Sequence, residues 1–255
     1  MTQQIFNLTG ATALVTGTSQ GLGFAIAKGL GDAGASIVLN GRDKEKLESA
    51  VSRFRSWDID VHSLRMDVRN EDEIAERIPE IESNIGPITI LVNNAGIQKR
   101  GKLEEIDFST WQEVIDTNLT ASFLVSKYVA KGMISLKRGK IINICSVMSE
   151  LGRQTTGPYT AAKGGLKMLT RAMAVEWARY NIQINAIGPG YFMTEMTKPL
   201  ANDAEFDGWV KGRTPAQRWG LPEELVWTAV YLASEESNFV NGQIIYVDGG
   251  MTIAV

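Results

Sequence analysis

The stretch Thr16-Gly17-Thr18-Ser19-Gln20-Gly21-Leu22-Gly23 follows an apolar run, Ala11–Val15, and leads into residues with helical spacing, Leu22, Ile26 and Leu30. Glycines in a turn between a strand and a helix allow a tight bend and a close approach of the backbone to a ligand. The exposed N–H groups and the positive end of the helix can then hold a pyrophosphate. The glycine spacing, G-x-x-x-G-x-G, differs from the common G-x-G-x-x-G fingerprint. We expect a dinucleotide-binding unit.

The same alternation of short apolar runs and helical periodicity continues along the whole chain. Helices are expected around Leu47–Phe54, Trp111–Phe123 and Leu225–Leu232, where apolar residues lie three and four apart. The expected strands are the runs rich in Val and Ile: Ala11–Val15, Ser36–Leu39, Asp60–Met66, Ile88–Val92, Lys140–Cys145, Ile182–Ile187 and Gln243–Val247.

This order of elements predicts an α/β fold, a Rossmann-type doubly wound parallel sheet of about seven strands with helices on both faces. No repeat or linker divides the sequence, so we expect a single domain over residues 1–255. Helical and strand periodicity is weakest near residues 188–220, which we interpret as a substrate lid insertion.

Composition excludes several classes of protein. The 255 residues carry a formal net charge of −3, which argues against a nucleic-acid-binding surface. Only one histidine, His62, and one cysteine, Cys145, are present, too few for a Cys/His metal site. His62 lies in an alternating stretch and is expected on a strand surface, without a catalytic role.

The chain also lacks the pattern of a membrane or exported protein. No apolar run approaches the ~20 residues that span a bilayer. The first residues, Met1–Gln4, lack the features of a signal peptide. A single cysteine cannot form an intrachain disulfide, which fits a reducing compartment. We therefore expect a cytoplasmic protein.

Tyr159 and Lys163 form a candidate acid–base pair. They lie four residues apart in a segment, Tyr159–Tyr180, that has helical periodicity, so their side chains share one face. A nearby ammonium group favours the phenolate, and we expect it to lower the pKa of Tyr159. Ser146 stands where the fifth predicted strand ends, at the edge where such sheets bind ligands.

The order of these motifs resembles the short-chain dehydrogenase/reductase family over essentially the whole chain. The resemblance rests on the glycine-rich turn and on Asn93-Asn94-Ala95-Gly96, Asn118, Ser146, Tyr159-Thr160-Ala161-Ala162-Lys163, Pro189-Gly190 and Val247-Asp248-Gly249-Gly250. It implies that Tyr159 is the general acid/base and that Lys163 lowers its pKa and binds the nicotinamide ribose. It further implies that Ser146 orients the substrate oxygen, that Asn118 supports a proton relay, and that the chain assembles as a homotetramer.

The choice between NADP and NAD depends on the residues after the second predicted strand. Arg42 offers a planar, permanently charged group to a 2′-phosphate, and NADP is therefore the expected coenzyme, with NAD as the alternative. Asp43 is the competing ribose ligand, but we interpret it as the N-cap of a helix that begins near Lys44.

Asp67-Val68 follows the third predicted strand, where the family places such a pair at the adenine edge, although Asp67 could equally cap the next helix. The full set of expected coenzyme-binding residues is Gly17, Ser19, Gln20, Gly21, Leu22, Gly23, Arg42, Asp67, Val68, Asn94, Ala95, Gly96, Tyr159, Lys163, Pro189, Gly190 and Thr194.

The flanks of Ser146 and Tyr159 look like the gluconate 5-dehydrogenase branch of the family, as do Asn40-Gly41-Arg42, Thr214–Gly220 and Asn238–Gly242. The resemblance implies hydride transfer to or from a sugar acid, gluconate or 5-keto-gluconate.

A sugar acid carries a carboxylate that must be paired when it leaves water, and Lys99, Arg100 and Arg153 all follow predicted strands. Tyr191, in the lid insertion, could cover the substrate. The alternatives are another reductase of the family, such as a 3-oxoacyl-carrier-protein reductase, and a non-catalytic NADP-binding protein.

Overall fold

The computed structural model describes residues 5–195 and 197–255. The strands are β1 (Thr12–Val15), β2 (Ser36–Gly41), β3 (Val61–Arg65), β4 (Ile90–Asn93), β5 (Gly139–Ile144), β6 (Ile182–Pro189) and β7 (Ile244–Val247). The helices are α1 (Gly21–Asp32), α2 (Lys44–Ser56), α3 (Glu71–Ile85), α4 (Phe108–Ile115), α5 (Ala121–Leu136), α6 (Gly157–Trp177), α7 (Lys198–Ala201), α8 (Ala204–Arg213) and α9 (Glu223–Ala233).

The seven strands form one sheet in the order β3-β2-β1-β4-β5-β6-β7, and every pair is parallel. The predicted α/β fold and its strands are confirmed. The order reverses between β1 and β4, because β2 and β3 extend to one side and β5 to β7 to the other. Ligands of such sheets bind in the crevice at the carboxyl ends of the strands at this reversal.

Helices cover both faces of the sheet. Alternate strand residues point to opposite faces, so Ala13 and Val15 pack under α1, α2 and α9, whereas Leu14 packs under α3, α5 and α6. Central strands buried on both faces require continuous apolar runs, and this explains the Val- and Ile-rich segments of the sequence.

A network of hydrogen bonds between buried polar side chains joins the middle of the sheet to α5 and α6. The Asn93 side-chain amide donates to Ser126 Oγ and to Asn143 Oδ1, both at 2.9 Å. The Asn143 amide in turn donates to Thr170 Oγ1 at 2.8 Å. Buried polar groups that are fully paired fix one arrangement of the elements that carry them. This network therefore sets the position of α6 relative to the carboxyl ends of β4 and β5.

The single regular helix predicted around Trp111–Phe123 is interrupted in the structure. A π-helical turn, Asp116–Thr120, separates α4 from α5. The extra residue rotates the helix face, and Phe123, expected on the buried stripe, is 43% exposed. π-Turns of this kind occur frequently at functional sites.

The other local predictions have mixed outcomes. The Asp43 carboxylate accepts a hydrogen bond from Lys46 N at 3.1 Å, which confirms its N-cap role on α2. Residues 188–220 contain the short helices α7 and α8, but a lid remains a prediction. His62 lies on edge strand β3, with Nε2 3.4 Å from Asp60 Oδ1. Residues Met1–Gln4 lie outside the described chain.

Residues 5–195 and 197–255 contain neither a membrane-spanning helix nor a metal-binding cluster. In that part of the chain, no helix combines the length and apolarity needed to cross a membrane. The same residues contain no group of three or more His, Cys, Asp or Glu side chains arranged to hold a metal ion.

The contact between α1 and α9 predicts a stability effect. A Cβ added at Gly29 would lie 2.0 Å from Val226 Cγ1, so we expect Gly29→Ala to lower the free energy of unfolding by about 1–3 kcal/mol. Urea unfolding measures this change. Gly212→Ala on α8 is the matched control, because a Cβ there meets nothing within 4 Å and the helix gains propensity. A Gly29→Ala protein as stable as the wild type would contradict this packing.

Candidate coenzyme and substrate site

A cleft of about 910 Å³ lies at the carboxyl ends of β1 to β6. It is lined by all four predicted catalytic residues, Asn118, Ser146, Tyr159 and Lys163. It is also lined by the whole predicted coenzyme set: Gly17, Ser19, Gln20, Gly21, Leu22, Gly23, Arg42, Asp67, Val68, Asn94, Ala95, Gly96, Tyr159, Lys163, Pro189, Gly190 and Thr194. Segments distant in the sequence therefore meet in one site, while the role of each residue stays a prediction.

The glycine-rich turn is built against the loop that follows β4. Gly17 and Gly21 both have φ of +68°, a conformation that L side chains rarely adopt. A Cβ on Gly17 would lie 2.9 Å from Ala95 Cα, and one on Gly23 would lie 2.3 Å from Asn94 Nδ2. These positions therefore require glycine, and the turn leaves room for a ligand that approaches the backbone closely.

Asn94 ties the turn in place. Its side-chain amide donates to the carbonyls of Thr16 and Gly17 at 2.9 and 3.0 Å. The backbone N–H groups of Asn94 and Ala95 donate to Thr16 Oγ1 at 2.9 and 3.0 Å. The N-cap residue of α1, Gln20, makes no side-chain capping bond, so it does not occupy the N–H groups at this helix start. Such a helix start fits the pyrophosphate of a dinucleotide.

Charged side chains in the loops that follow β2 and β3 form the opposite end of the cleft. Arg42 Nη1 lies 3.4 Å from Asp67 Oδ2, and Arg69 Nη2 donates to the same oxygen at 2.8 Å. The hydrogen bonds from Arg69 lower the pKa of Asp67 to about 2. Asp67 is thus an ionised acceptor in the cleft wall, and Arg42 is a cation 60% exposed and open to a phosphate.

Ser146, Tyr159 and Lys163 lie together where β5 ends and α6 begins. Ser146 Oγ accepts a hydrogen bond from Met148 N at 3.1 Å, so its O–H is left to donate to the Tyr159 oxygen or to a ligand. Lys163 is buried, its Nζ donates to the carbonyl of Ile144 at 2.6 Å, and it lies 5.6 Å from the centroid of the Tyr159 ring.

The protonation states of this pair differ from the sequence prediction. Burial raises the pKa of Tyr159 to about 12, and hydrogen bonding with Ser146 offsets only part of that rise. Burial also lowers the pKa of Lys163 to about 8. The expected lowering of the Tyr159 pKa is therefore wrong for this structure, because the desolvation of the phenolate is the largest effect and the Lys163 ammonium donates to a backbone carbonyl.

Asn118 occupies the π-helical turn and points into the site. Its Nδ2 donates to the carbonyls of Ile97 and Val114, both at 2.9 Å. Its Oδ1 is buried and has no hydrogen-bond partner. A Cβ on Gly96 would lie 2.6 Å from that oxygen. An unpaired buried acceptor is costly, so this oxygen suits a donor supplied by water or ligand.

The four predicted substrate residues separate into two pairs. Arg100 and Tyr191 line the cleft. Lys99 and Arg153 are not among its lining residues: Lys99 pairs with Glu113 on α4, and Arg153 Nη1 donates to the Tyr191 hydroxyl at 3.1 Å. The structure therefore does not bring Lys99 and Arg153 to the cleft surface, and the substrate roles stay predictions.

Some cleft residues are missing from the sequence prediction. Arg69 and Lys46 add positive charge to the cleft wall that Arg42 borders. Met148 lines the cleft two residues after Ser146, and Thr197 and Leu200 line it from the lid insertion. Arg69 had a usable signal, because it stands two residues after Asp67, close enough to bond its carboxylate. The others lie in loops or helices where linear spacing does not show which side chains face the cleft.

Comparison with known proteins places the chain in a family. Residues 17–252 match the family model described as enoyl-(acyl carrier protein) reductase. The chain belongs to the short-chain dehydrogenase/reductase family.

Three relatives are similar over nearly the full length. The chain is 51% identical to a gluconate 5-dehydrogenase of Gluconobacter oxydans over 98% of both chains. It is 49% identical to a 2-dehydro-3-deoxy-D-gluconate 5-dehydrogenase of Formosa agariphila, over 100% of this chain and 97% of the relative. A crystal structure of a gluconate 5-dehydrogenase from Burkholderia cenocepacia with NADP and tartrate superposes with a TM-score of 0.96, at 47% identity over 98% of both chains.

The burial of Lys163 predicts an unusual titration. We expect its amino group to be charged below about pH 8 and neutral above it, because burial penalises the ammonium form. NMR of protein labelled at the lysine ε-carbons measures this, and the resonance that Lys163→Met removes identifies the residue. A midpoint at the ordinary value of 10.5 would show that the side chain is not desolvated.

Proposed function

We propose that this chain is an NADP-dependent oxidoreductase that transfers hydride between the nicotinamide coenzyme and a sugar acid, with gluconate and 5-keto-gluconate as the substrate pair. The observation that carries the proposal is the convergence of Ser146, Tyr159 and Lys163 at one end of the cleft that Arg42 borders. The relatives named for gluconate and deoxygluconate dehydrogenation support the substrate class.

The cleft offers a place for each part of the coenzyme. In this proposal the turn at Gly17 and Gly21 and the start of α1 hold the pyrophosphate, and Arg42 holds the 2′-phosphate. Asp67 is placed for a donor on the adenine. The NADP-bound Burkholderia relative supports this choice of coenzyme. NADPH, when bound, supplies the hydride.

The protein side chains manage the substrate oxygen and its proton. Ser146 donates its O–H to the carbonyl oxygen, and Tyr159 donates the proton that completes the alcohol. A phenol with a pKa of about 12 retains its proton at neutral pH, so this resting state suits reduction of a ketone. In the reverse direction the phenolate must form, which favours oxidation at higher pH. Lys163 has further N–H donors for a ribose hydroxyl.

Arg100 would make the site favour a substrate that carries a negative charge. It lines the cleft, and a guanidinium pairs with a carboxylate through two parallel hydrogen bonds. A long acyl chain, the substrate of the alternative 3-oxoacyl reductase, would instead need a broad apolar surface. Assembly as a homotetramer and a cytoplasmic location stay predictions from the family resemblance and the composition.

NADPH oxidation by the purified protein tests this proposal with three ketones: 5-keto-D-gluconate, D-fructose and an acetoacetyl thioester. We expect 5-keto-D-gluconate to give the highest kcat/KM. A preference for the thioester would support the acyl reductase, and no turnover of any ketone would support the non-catalytic alternative.

Tyr159→Phe tests the proton donor. The ring keeps its bulk and loses the exchangeable proton, so we expect kcat to fall by roughly 10²–10⁴-fold while NADPH binding stays near normal. Steady-state kinetics and coenzyme fluorescence measure the two effects. Tyr180→Phe, beyond the end of α6 and outside the cleft lining, is the matched control. More than a tenth of the wild-type kcat in Tyr159→Phe would exclude the assignment.

Arg42→Ala tests the coenzyme preference. A charge-assisted hydrogen bond contributes ~1.5–3 kcal/mol, so we expect KM for NADPH to rise roughly 10–150-fold while KM for NADH hardly changes. The matched control is Arg55→Ala, an exposed arginine near the end of α2 that does not line the cleft. Equal weakening of both coenzymes would mean that Arg42 is a structural charge.

A further inference from the structure

Four aromatic side chains, of which Tyr191 alone lines the cleft, pack on one another and are called the aromatic clasp: Tyr191, Phe206, Trp209 and Trp219. Tyr191 makes edge contacts with the other three rings, at centroid distances of 5.8, 5.7 and 5.7 Å. Phe206 and Trp209 stack on each other at 5.6 Å. The clasp thus joins the loop after β6 to α8.

Both backbone segments of the clasp are fixed. The Tyr191 carbonyl accepts a hydrogen bond from Gly220 N at 2.9 Å. Asp203 caps α8 and accepts from Phe206 N at 3.1 Å, and Trp219 Nε1 donates to Asp207 on that helix at 2.9 Å. The rings are therefore held by two independent sets of hydrogen bonds.

Arg153 is inserted into this clasp. Its guanidinium carbon lies 4.5 Å from the Phe206 centroid and 4.8 Å from the Trp209 centroid, within the range of a cation–π contact. Its Nη1 donates to the Tyr191 hydroxyl at 3.1 Å. Tyr191 lines the cleft and Arg153 does not. The arginine therefore bonds to the hydroxyl of a residue that lines the cleft without lining the cleft itself.

The direction of that hydrogen bond determines what Tyr191 can do. An arginine has donors and no acceptor, so the Tyr191 oxygen must accept from it. The phenol proton is then left to donate to a different group, and a bond from a charged donor polarises the O–H.

We propose that Arg153 is a positioning residue for substrate specificity: clamped by Phe206 and Trp209, it aims the Tyr191 O–H at an oxygen of the sugar acid. The inference rests on the proposed function for the identity of the substrate. It leaves Arg100, which lines the cleft and lies 5.6 Å from the Phe206 centroid, as the direct partner of the carboxylate.

A double-mutant cycle separates action through Tyr191 from direct contact with substrate. Tyr191→Phe and Arg153→Met should each raise KM for 5-keto-D-gluconate by roughly 10-fold, with a smaller change in kcat, since each removes a hydrogen bond to the substrate or its alignment. If Arg153 acts through Tyr191, adding Arg153→Met to Tyr191→Phe should raise KM less than twofold further. A full second 10-fold rise would mean that Arg153 binds the substrate directly, and would overturn the proposal.

Three controls make the cycle decisive. Arg153→Lys keeps the charge and a donor. Its KM should therefore be lower than that of Arg153→Met, but only when Tyr191 is present. A lower KM for Arg153→Lys in the Tyr191→Phe protein as well would count against the proposal. Where Arg153→Met does not fold, as judged by NADPH binding, Arg153→Lys and Arg153→Gln complete the cycle. Arg55→Met removes an exposed arginine near the end of α2 that does not line the cleft, and it should leave KM unchanged.

The cycle also separates this inference from the proposed function. Additive effects in a protein that reduces 5-keto-D-gluconate overturn only the role of Arg153. If the protein prefers another ketone, the cycle is run on that ketone, and coupling there supports the positioning role while the sugar-acid assignment fails. Absence of turnover with every ketone overturns both.

Discussion

The hydrogen bonds from Asn94 to the glycine-rich turn form the connection on which the cleft depends. They join the ends of β1 and β4, the two neighbouring strands at which the order of the sheet reverses. At that reversal the connecting helices leave to opposite sides, and a crevice opens between them. Asn94 holds the left-handed backbone at Gly17 by donating to the Gly17 carbonyl, while Thr16 Oγ1 accepts from the N–H groups of Asn94 and Ala95. The parallel topology thus opens the crevice, and the Asn94 and Thr16 side chains fix the turn that lines it.

Burial determines the chemistry at the other end of the cleft. Lys163 is buried between the sheet and α6, Tyr159 is partly buried at the cleft wall, and the pKa values of both side chains move to favour the neutral forms. Tyr159 is therefore a proton donor in the resting protein. Lys163 can lose its charge in a pH range where lysines are ordinarily protonated. Desolvation, more than the mutual contact of the two side chains, sets their protonation.

Much of this arrangement could be predicted from the sequence because it follows from local rules. Strands buried on both faces need unbroken Val and Ile runs, and a glycine turn between a strand and a helix has few other uses. The predictions failed where the outcome depends on three-dimensional burial. The periodicity through Trp111–Phe123 gives no sign of the π-helical turn, and the i,i+4 spacing of Tyr159 and Lys163 gives no measure of desolvation. Nor does linear spacing show that Arg153 lies among rings of α8, some 50 residues further along the chain.

In the proposed complex, one dinucleotide lies along the carboxyl edge of the sheet, from Arg42 to Lys163. Amide hydrogen exchange followed by mass spectrometry, with and without saturating NADPH, tests it most directly. Bound coenzyme should slow exchange in residues 17–23, 40–42, 66–69 and 94–97, and leave the opposite edge, including residues 235–240, unchanged. Protection confined to that opposite edge, or no protection in residues 17–23, would contradict the account.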